Sequence, residues 1–371
     1  MIFLGGVKGM QNTFQFIGTF SRPKEDAKKP YYHEFTKNNR RMRSINFGVR
    51  PDKNNIGFVE MFGSEQDVIR TRDQNNNQIE IDWDDRFDPD VLANVSIKRT
   101  IDLGIGDRQE FISEFDAIEY LKEHLSEDLP PLMYAGRMTK QFYQGRVFDR
   151  FQLQNIYPIP ERDGKALSAK LRVNIELAYN KDSIDQTDWQ DKKVLYIDGY
   201  TPTYIDKDNG TKFVPQRLVF NASKIDPKNE THMNQLKFRM QFISPVGKKV
   251  VRLAWETILV NGAEAVEFDK SMLTDTQKQS IECGLKTLDD YRPRGQILGQ
   301  RISEYRLICP HLEKEFADGF VDTDQSFDEW EQDNVYIPPK EETLDDVIEE
   351  APKKEEAKSA IDNFDADDIF S

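Results

Sequence analysis

Cations and aromatic rings are interleaved at two places in this sequence. Arg40, Arg41 and Arg43 lead into a segment carrying Phe47, and Phe58 and Phe62 lie on the segment after it. Further on, Arg137, Lys140, Phe142, Tyr143, Arg146, Phe148 and Arg150 crowd into one short stretch. Single-stranded nucleic acid calls for both residue types. Cations meet the phosphates, and π-faces receive bases that have lost their stacking partners, each worth about 1–3 kcal/mol. Phenylalanines on strands also fill cores, so the face each ring takes decides its use.

Other chemistry is thinly represented. There are two cysteines, Cys283 and Cys309, and four histidines, with no CxxC pair for a structural zinc site and no disulfide framework. Cys309-Pro310-His311 reads as a buried thiol beside a surface histidine. No GxxxxGK[ST] loop is present, and Gly5-Gly6 and Gly104-Ile105-Gly106 are too short for nucleotide fingerprints. Glu80 with Asp82, Asp84 and Asp85 offers hard oxygen ligands that would suit Mg²⁺ in a nuclease. The same acids sit beside an Asn-rich turn, where solvated carboxylates are ordinary. The expectation is a chain that is not an enzyme and has no cofactor, no metal and no small-molecule substrate.

The formal charge of −15 is unevenly spread. From Asp318 onward there are nineteen acidic and four basic residues, so this segment alone carries −15 and residues 1–317 are neutral. Phosphates respond to local charge, so a neutral body can still gather its arginines on one face. The segment 318–371 contains Pro338-Pro339 and runs of Glu and Lys, the composition of a disordered acidic tail. Its last residues, Ile361 to Ser371, mix aspartates with apolar side chains. In Phe364, Asp365, Asp367, Asp368, Ile369 and Phe370, the aspartates would steer and the apolar residues anchor in a basic-rimmed hydrophobic pocket of a partner. The same tail could instead compete for the chain's own DNA groove.

The elements that must position the first two clusters are mostly strands. Alternation marks 13–20, 44–50, 56–62 and 78–83, then 132–140, 147–156, 171–177, 194–204, 213–220, 236–243 and 250–260. Phe111, Phe115, Ile118, Leu121 and Leu125 repeat at helical spacing before Pro130-Pro131, which predicts a helix and a domain boundary. A second helix is predicted over 274–288, with Thr274 as its cap. Gly18 to Lys24 and Gly136 to Lys140 share a Gly-then-Lys strand exit, a hint of two similar β-domains. No stretch approaches the ~18 apolar residues of a membrane span. Met1–Met10 lacks a charged region before its apolar patch, so the protein is expected in the cytoplasm and not at a membrane.

The tip Asp362-Asn-Phe-Asp-Ala-Asp-Asp-Ile-Phe370 resembles the acidic tip of bacterial and bacteriophage single-stranded DNA-binding proteins, although it lacks their usual proline and adds Ser371. Asn12 to Gly63 is similar to the start of such OB-fold proteins, with a first strand, a basic loop, then Ile45-Asn-Phe-Gly-Val49 and Phe58-Val-Glu-Met-Phe-Gly63. The resemblance implies a Greek-key barrel that binds DNA on its second and third strands and the adjoining loops. The long, two-part body points to a phage-encoded variant acting in the host cytoplasm.

The fold class expected is mainly β, with two OB-like Greek-key barrels, a few helices and a disordered acidic tail. The domains expected are 12–110, a connecting helix and linker over 111–131, a second β-domain over 132–317, and the tail 318–371. The function expected is coating single-stranded DNA with little sequence preference during replication, recombination or repair, with the tail recruiting partner proteins. The rival reading is a structural or scaffolding protein of a viral assembly that ignores nucleic acid.

Overall fold

The computed structural model describes residues 12–24, 29–143, 146–243, 250–266, 268–293, 297–310 and 326–336. The tail tip, with Phe364, Asp365, Asp367, Asp368, Ile369 and Phe370, lies outside these residues. Four strands come first: β1 (Thr13–Ser21), β2 (Tyr32–Lys37), β3 (Arg40–Asp52) and β4 (Asn55–Ser64). An inserted stretch follows, with the hairpin β5 (Val68–Arg72) and β6 (Gln78–Asp82), helix α1 (Pro89–Asn94), and the short strands β7 (Arg99–Ile101) and β8 (Gln109–Phe111). Helix α2 (Glu114–His124) starts at Ser113, whose hydroxyl accepts the Phe115 N–H at 3.1 Å. The long hairpin β9 (Leu132–Tyr143) and β10 (Arg146–Pro158) comes next.

The second half has the small hairpin β11 (Glu161–Arg162) and β12 (Lys165–Ala166), then β13 (Leu171–Tyr179), β14 (Ile184–Asp185) and α3 (Trp189–Lys192). It continues with β15 (Val194–Asp206), β16 (Gly210–Asn221), α4 (Glu230–Ile243), β17 (Val251–Val266), α5 (Asp275–Glu282) and β18 (Ile297–Pro310). Helix α6 (Phe327–Asn334) is the last described element.

Backbone pairing joins these strands into two closed circuits. In the first, β1 pairs with β3, β3 with β4, β4 with β10, β10 with β9, and β9 with β1. All pairs are antiparallel except β4–β10, a short parallel contact at Glu60 and Gln152. In the second, β13 pairs with β15, β15 with β16, β16 with β18, β18 with β17, and β17 with β13. Here too one contact is parallel, β16 to β18 at Val219 and Arg306. Both circuits follow the order first, second, third, fifth, fourth, first, and a helix precedes the fourth strand in each (α2, then α4). The circuits are joined through their first strands, antiparallel from Thr13 and Asn174 to Phe16 and Leu171. Asn12 pins that joint, donating to Thr201 Oγ1 at 2.7 Å and accepting the Glu176 N–H at 2.9 Å, both buried.

Period-two alternation sorts each strand into an inner and an outer row. The first interior is aromatic: Phe14, Phe16, Phe47 and Phe151 are all buried, and Phe14 and Phe16 each lie within 5.4 Å of Phe151. The second interior gathers Val173, Ile175, Leu195, Ile197, Leu218, Phe220, Leu253 and Trp255. Strands cross tightly where no side chain intervenes. A Cβ on Gly18 would lie 2.3 Å from the Arg50 carbonyl oxygen, and one on Gly136 2.0 Å from that of Gln152.

Several expectations change. The boundary predicted at Pro130-Pro131 falls inside the first circuit, because β9 and β10 are needed to close it onto β1 and β4. Gly18 and Gly136 accordingly lie in one circuit, and the repeat relates β1 to β13 instead. Residues 236–243, predicted as a strand, belong to helix α4. Met233, Leu236, Met240 and Ile243 recur at helical spacing, and Leu236, Met240 and Ile243 pack into the main core. The acidic segment after Asp322 contributes helix α6, whose Trp330 is buried. The predicted helix over 274–288 stops at Glu282, with Thr274 as its cap in a reciprocal pair with Gln277.

Candidate nucleic-acid interface

Register fixes which side chains share the outer surface of the first circuit. Cross-strand partners point to the same face, so Ser44 with Phe62, Asn46 with Glu60, and Gly48 with Phe58 form the outer rows of β3 and β4. Arg137 with Gln152, Thr139 with Arg150, Gln141 with Phe148, and Tyr143 with Arg146 form those of β9 and β10. The Glu60–Gln152 contact merges the two into one surface. β2 extends it beyond β3, adding His33, Phe35 and Lys37.

That surface holds several exposed rings. Phe58 (38% exposed), Phe62 (49%), Phe148 (45%) and Tyr143 (60%) are open to solvent, the first two between buried neighbours on β4. His33 stacks on Phe35 at 5.1 Å, and Phe35 lies 6.4 Å from Phe62, which gives a row of rings across β2 and β4. Cations lie between them. Arg137 and Arg146 are exposed and have no acidic partner among the described residues. Arg40 reaches Asp67 at 3.0 Å, both side chains well exposed, a pairing weak enough for phosphate to replace. Arg150 is bonded to Glu60, which also lies 3.9 Å from the exposed Lys29.

Where β4 and β10 meet, the surface dips into a cleft of about 390 Å³ lined by Glu60, Phe62, Arg99, Glu114, Arg150, Gln152 and Gln154, among others. Arg99 is held by Glu114. A guanidinium has five N–H donors, so each arginine keeps donors beyond those its carboxylate takes, and the two glutamines present both donors and acceptors. The cleft therefore offers a ring for stacking beside groups able to bond base edges or phosphate. Partial desolvation, with the like charge of Arg99 beside it, lowers the pKa of Arg137.

Other predicted binding residues are used elsewhere. Phe47 is buried in the first interior and cannot meet a base. Arg41 and Arg43 have the inner parity of β3 and lie over the Phe115 ring of α2, at 5.4 and 3.8 Å. Arg43 donates to Glu34 at 2.8 Å and to the Phe115 carbonyl at 3.3 Å, and its Nη2 lies 3.3 Å from Glu119. Glu34 also accepts from the Tyr32 hydroxyl at 2.6 Å and from Arg41. The Tyr32 bond, with Arg43 next, holds the Glu34 carboxyl down at about 2. Desolvation, with that same bond, pushes Tyr32 up to about 12.

Lys140 is almost fully buried, between Asp149 and Gln216 at 2.5 Å each, and ties the β9–β10 hairpin to the second circuit. Phe142 lies on the same inner side and packs edge-on against Tyr336 at 5.4 Å. The period-two rule places both opposite Tyr143. The sequence reading also missed His33, Phe35 and Lys37, because Tyr32–Lys37 passes for a polar loop; its alternation about Phe35 was the available signal. Arg99 enters the cleft from a three-residue strand that carries no periodicity of its own.

The acids near Asn75-Asn-Asn77 are dispersed. Glu80 pairs with Arg70 across β5 and β6 at 2.9 Å, and Asp84 and Asp85 lie in the exposed turn after β6. No group of three or more His, Cys, Asp or Glu among the described residues is placed to hold a metal ion. Cys309 donates to Glu256 at 3.4 Å, and burial together with that carboxylate pushes its thiol up to about 11. No described helix is long and apolar enough to cross a membrane.

No protein-family model matches the chain, and no curated protein matches it. Among solved structures, a deletion mutant of the single-stranded DNA-binding protein from Thermus aquaticus is similar over 68% of this chain and 88% of that one, with 13% identity and a TM-score of 0.30. An overlap this slight carries neither fold nor function.

Proposed function

We propose that this chain binds single-stranded DNA, without catalysing a reaction, on the outer surface of β3, β4, β10 and β9. The strand order of the first circuit, with its parallel third-to-fifth contact and a helix before the fourth strand, is that of an OB barrel. Folds of this kind bind oligonucleotides on their second and third strands and the adjoining loops. The observation that carries the reading is the one surface on which Phe58, Phe62, Phe148 and Tyr143 stand exposed among Arg40, Arg137, Arg146 and Arg150. On β4 the exposed Phe58 and Phe62 alternate with the buried Val59 and Met61, so the core does not account for rings of their size on the outer row.

Base stacking and phosphate attraction are both tolerant of sequence, so the strand is coated with little preference. The acidic tail, and within it the tip, recruits replication, recombination or repair proteins, and a phage origin suits the two-barrel body. Ultraviolet cross-linking of oligo-dT to the full chain, followed by mass spectrometry, tests the location. Cross-links on β4 and on the β9–β10 hairpin, at Phe62, Tyr143 or Phe148, are expected. Cross-links confined to other surfaces would overturn the assignment, and a chain that never cross-links would favour the viral scaffold reading.

A further inference from the structure

The second circuit repeats the strand order of the first, so β15 and β16 correspond to β3 and β4. Their outer rows follow from register: Tyr196 with Val219, Asp198 with Arg217, Tyr200 with Pro215, Pro202 with Phe213, and Tyr204 with Thr211. This surface carries four rings (Tyr196, Tyr200, Tyr204 and Phe213) with Arg217 among them, the composition of the open face on β3 and β4. Unlike that face it is partly covered. Helix α6 lies on it, with the Trp330 ring 4.9 Å from Phe213 and 6.1 Å from Tyr200, and Phe327 also 6.1 Å from Tyr200. The Tyr200 hydroxyl donates to Glu331, Lys212 Nζ donates to the Asp333 carbonyl at 2.8 Å, and the Tyr336 N–H donates to the Phe213 carbonyl at 2.8 Å.

The covering helix has the chemistry of the ligand proposed for the first face. α6 carries Asp328, Glu329, Glu331 and Asp333, has no basic residue, and presents Phe327 and Trp330 to the rings beneath. Glu331 meets the face at the Tyr200 hydroxyl, and the aromatic rings stand where bases would. Just beyond its end, Tyr336 packs on Phe142 of the β9–β10 hairpin, next in sequence to the exposed Tyr143 and on the opposite face of the hairpin. A strand leaving the first face around the tip of that hairpin would arrive beside the segment that follows α6.

We infer that the outer face of β15 and β16 is a second single-stranded DNA site, with Tyr200 and Phe213 as its stacking rings, kept closed by α6 until a strand already on the first face displaces the helix. The inference rests on the proposed function of the first face. It concerns an ordered helix within 326–336 and is independent of the tail tip.

Hydrogen exchange and binding, both on the full chain, test it. The probes are an oligo-dT of about 8 nucleotides, enough for one face, and one of about 25, long enough for both. Saturation with the long strand should speed amide exchange over 327–336 at least tenfold, while the short strand leaves it unchanged. A Phe327→Ala/Trp330→Ala variant, which alters no residue of either strand circuit, should bind the long strand about tenfold tighter and the short strand as before. Adding Tyr200→Ala should remove that gain. Normal short-strand binding with exchange over 327–336 unmoved by the long strand, or no gain from the loosened helix, would overturn this inference alone. Failure of the unaltered chain to bind either strand would overturn the first-face reading and this one with it.

Discussion

Arg40 and Arg43 stand three residues apart on one strand and do different work. Parity turns Arg43 inward over Phe115, where Glu34, Glu119 and the Phe115 carbonyl take its donors. Parity turns Arg40 outward to a loosely held Asp67. Arg43→Met should therefore lower unfolding stability by about 2 kcal/mol, since it leaves the acceptors around it without a donor, and urea melts will show it. Arg40→Ala should leave stability nearly unchanged, weaken DNA binding uniformly across sequences and flatten the salt dependence by about one phosphate contact. Glu34 gives a pH signature. Its folded pKa lies below the ordinary value of 4.5, at about 2, so the unfolded chain binds the extra proton in that window. The stability it contributes is complete above about pH 4.5 and is lost as pH falls toward about 2. The difference in melting temperature between the unaltered chain and Glu34→Gln should be constant above pH 5 and shrink on acidification below that. A difference that does not narrow would refute the assigned role of this network.

At the scale of elements, the hairpin β9–β10 is the most consequential piece, because one row of it closes the first barrel and the other faces solvent. Loss of one stacking ring from the outer row, as in Phe148→Ala, should cost about 1–3 kcal/mol of binding and little stability. Phe151→Ala, on the inner row, should cost about 3–5 kcal/mol of stability. Thermal melts and anisotropy titrations on the two variants separate the rows. Much of this was legible in the sequence: the alternation of 147–153 locates both rows, and Arg137, Tyr143, Arg146, Phe148 and Arg150 stand out by type. What alternation along a strand cannot give is which row is inner. Arg41, Arg43 and Phe47 looked like part of a binding cluster because basic residues run continuously into the strand, while Phe47 is taken by the first interior and the two arginines by Phe115 of α2. Lys140 was misread for a similar reason, since its partner Gln216 is distant in sequence. Residues 236–243 alternate locally, and only the longer run from Met233 to Ile243 reveals the helix.

For the whole molecule, the two barrels act as one body through their first strands and Asn12. Asn12→Ala removes two buried hydrogen bonds and leaves Thr201 and the Glu176 amide without them. It should lower stability by about 1–3 kcal/mol, read as a shift in the denaturation midpoint. Two mainly-β units were foreseeable from the spacing of the strands, but their boundary was not. Closure of the first barrel depends on β9 and β10, which return to β1 and β4 across the insertion and α2, and nothing local marks that return. The distribution of formal charge along the chain, by contrast, is readable directly: residues 1–317 are neutral and the excess acid lies in 318–371. The most direct test is fluorescence anisotropy of labelled oligo-dT, titrated at low and moderate salt with the full chain and with a Phe62→Ala/Phe148→Ala variant. The prediction is tight binding by the unaltered chain that falls steeply with salt, weakened at least tenfold in the variant at unchanged thermal stability. No binding by the unaltered chain, or equal binding by the two, would contradict the claim that the outer face of β3, β4, β10 and β9 holds single-stranded DNA.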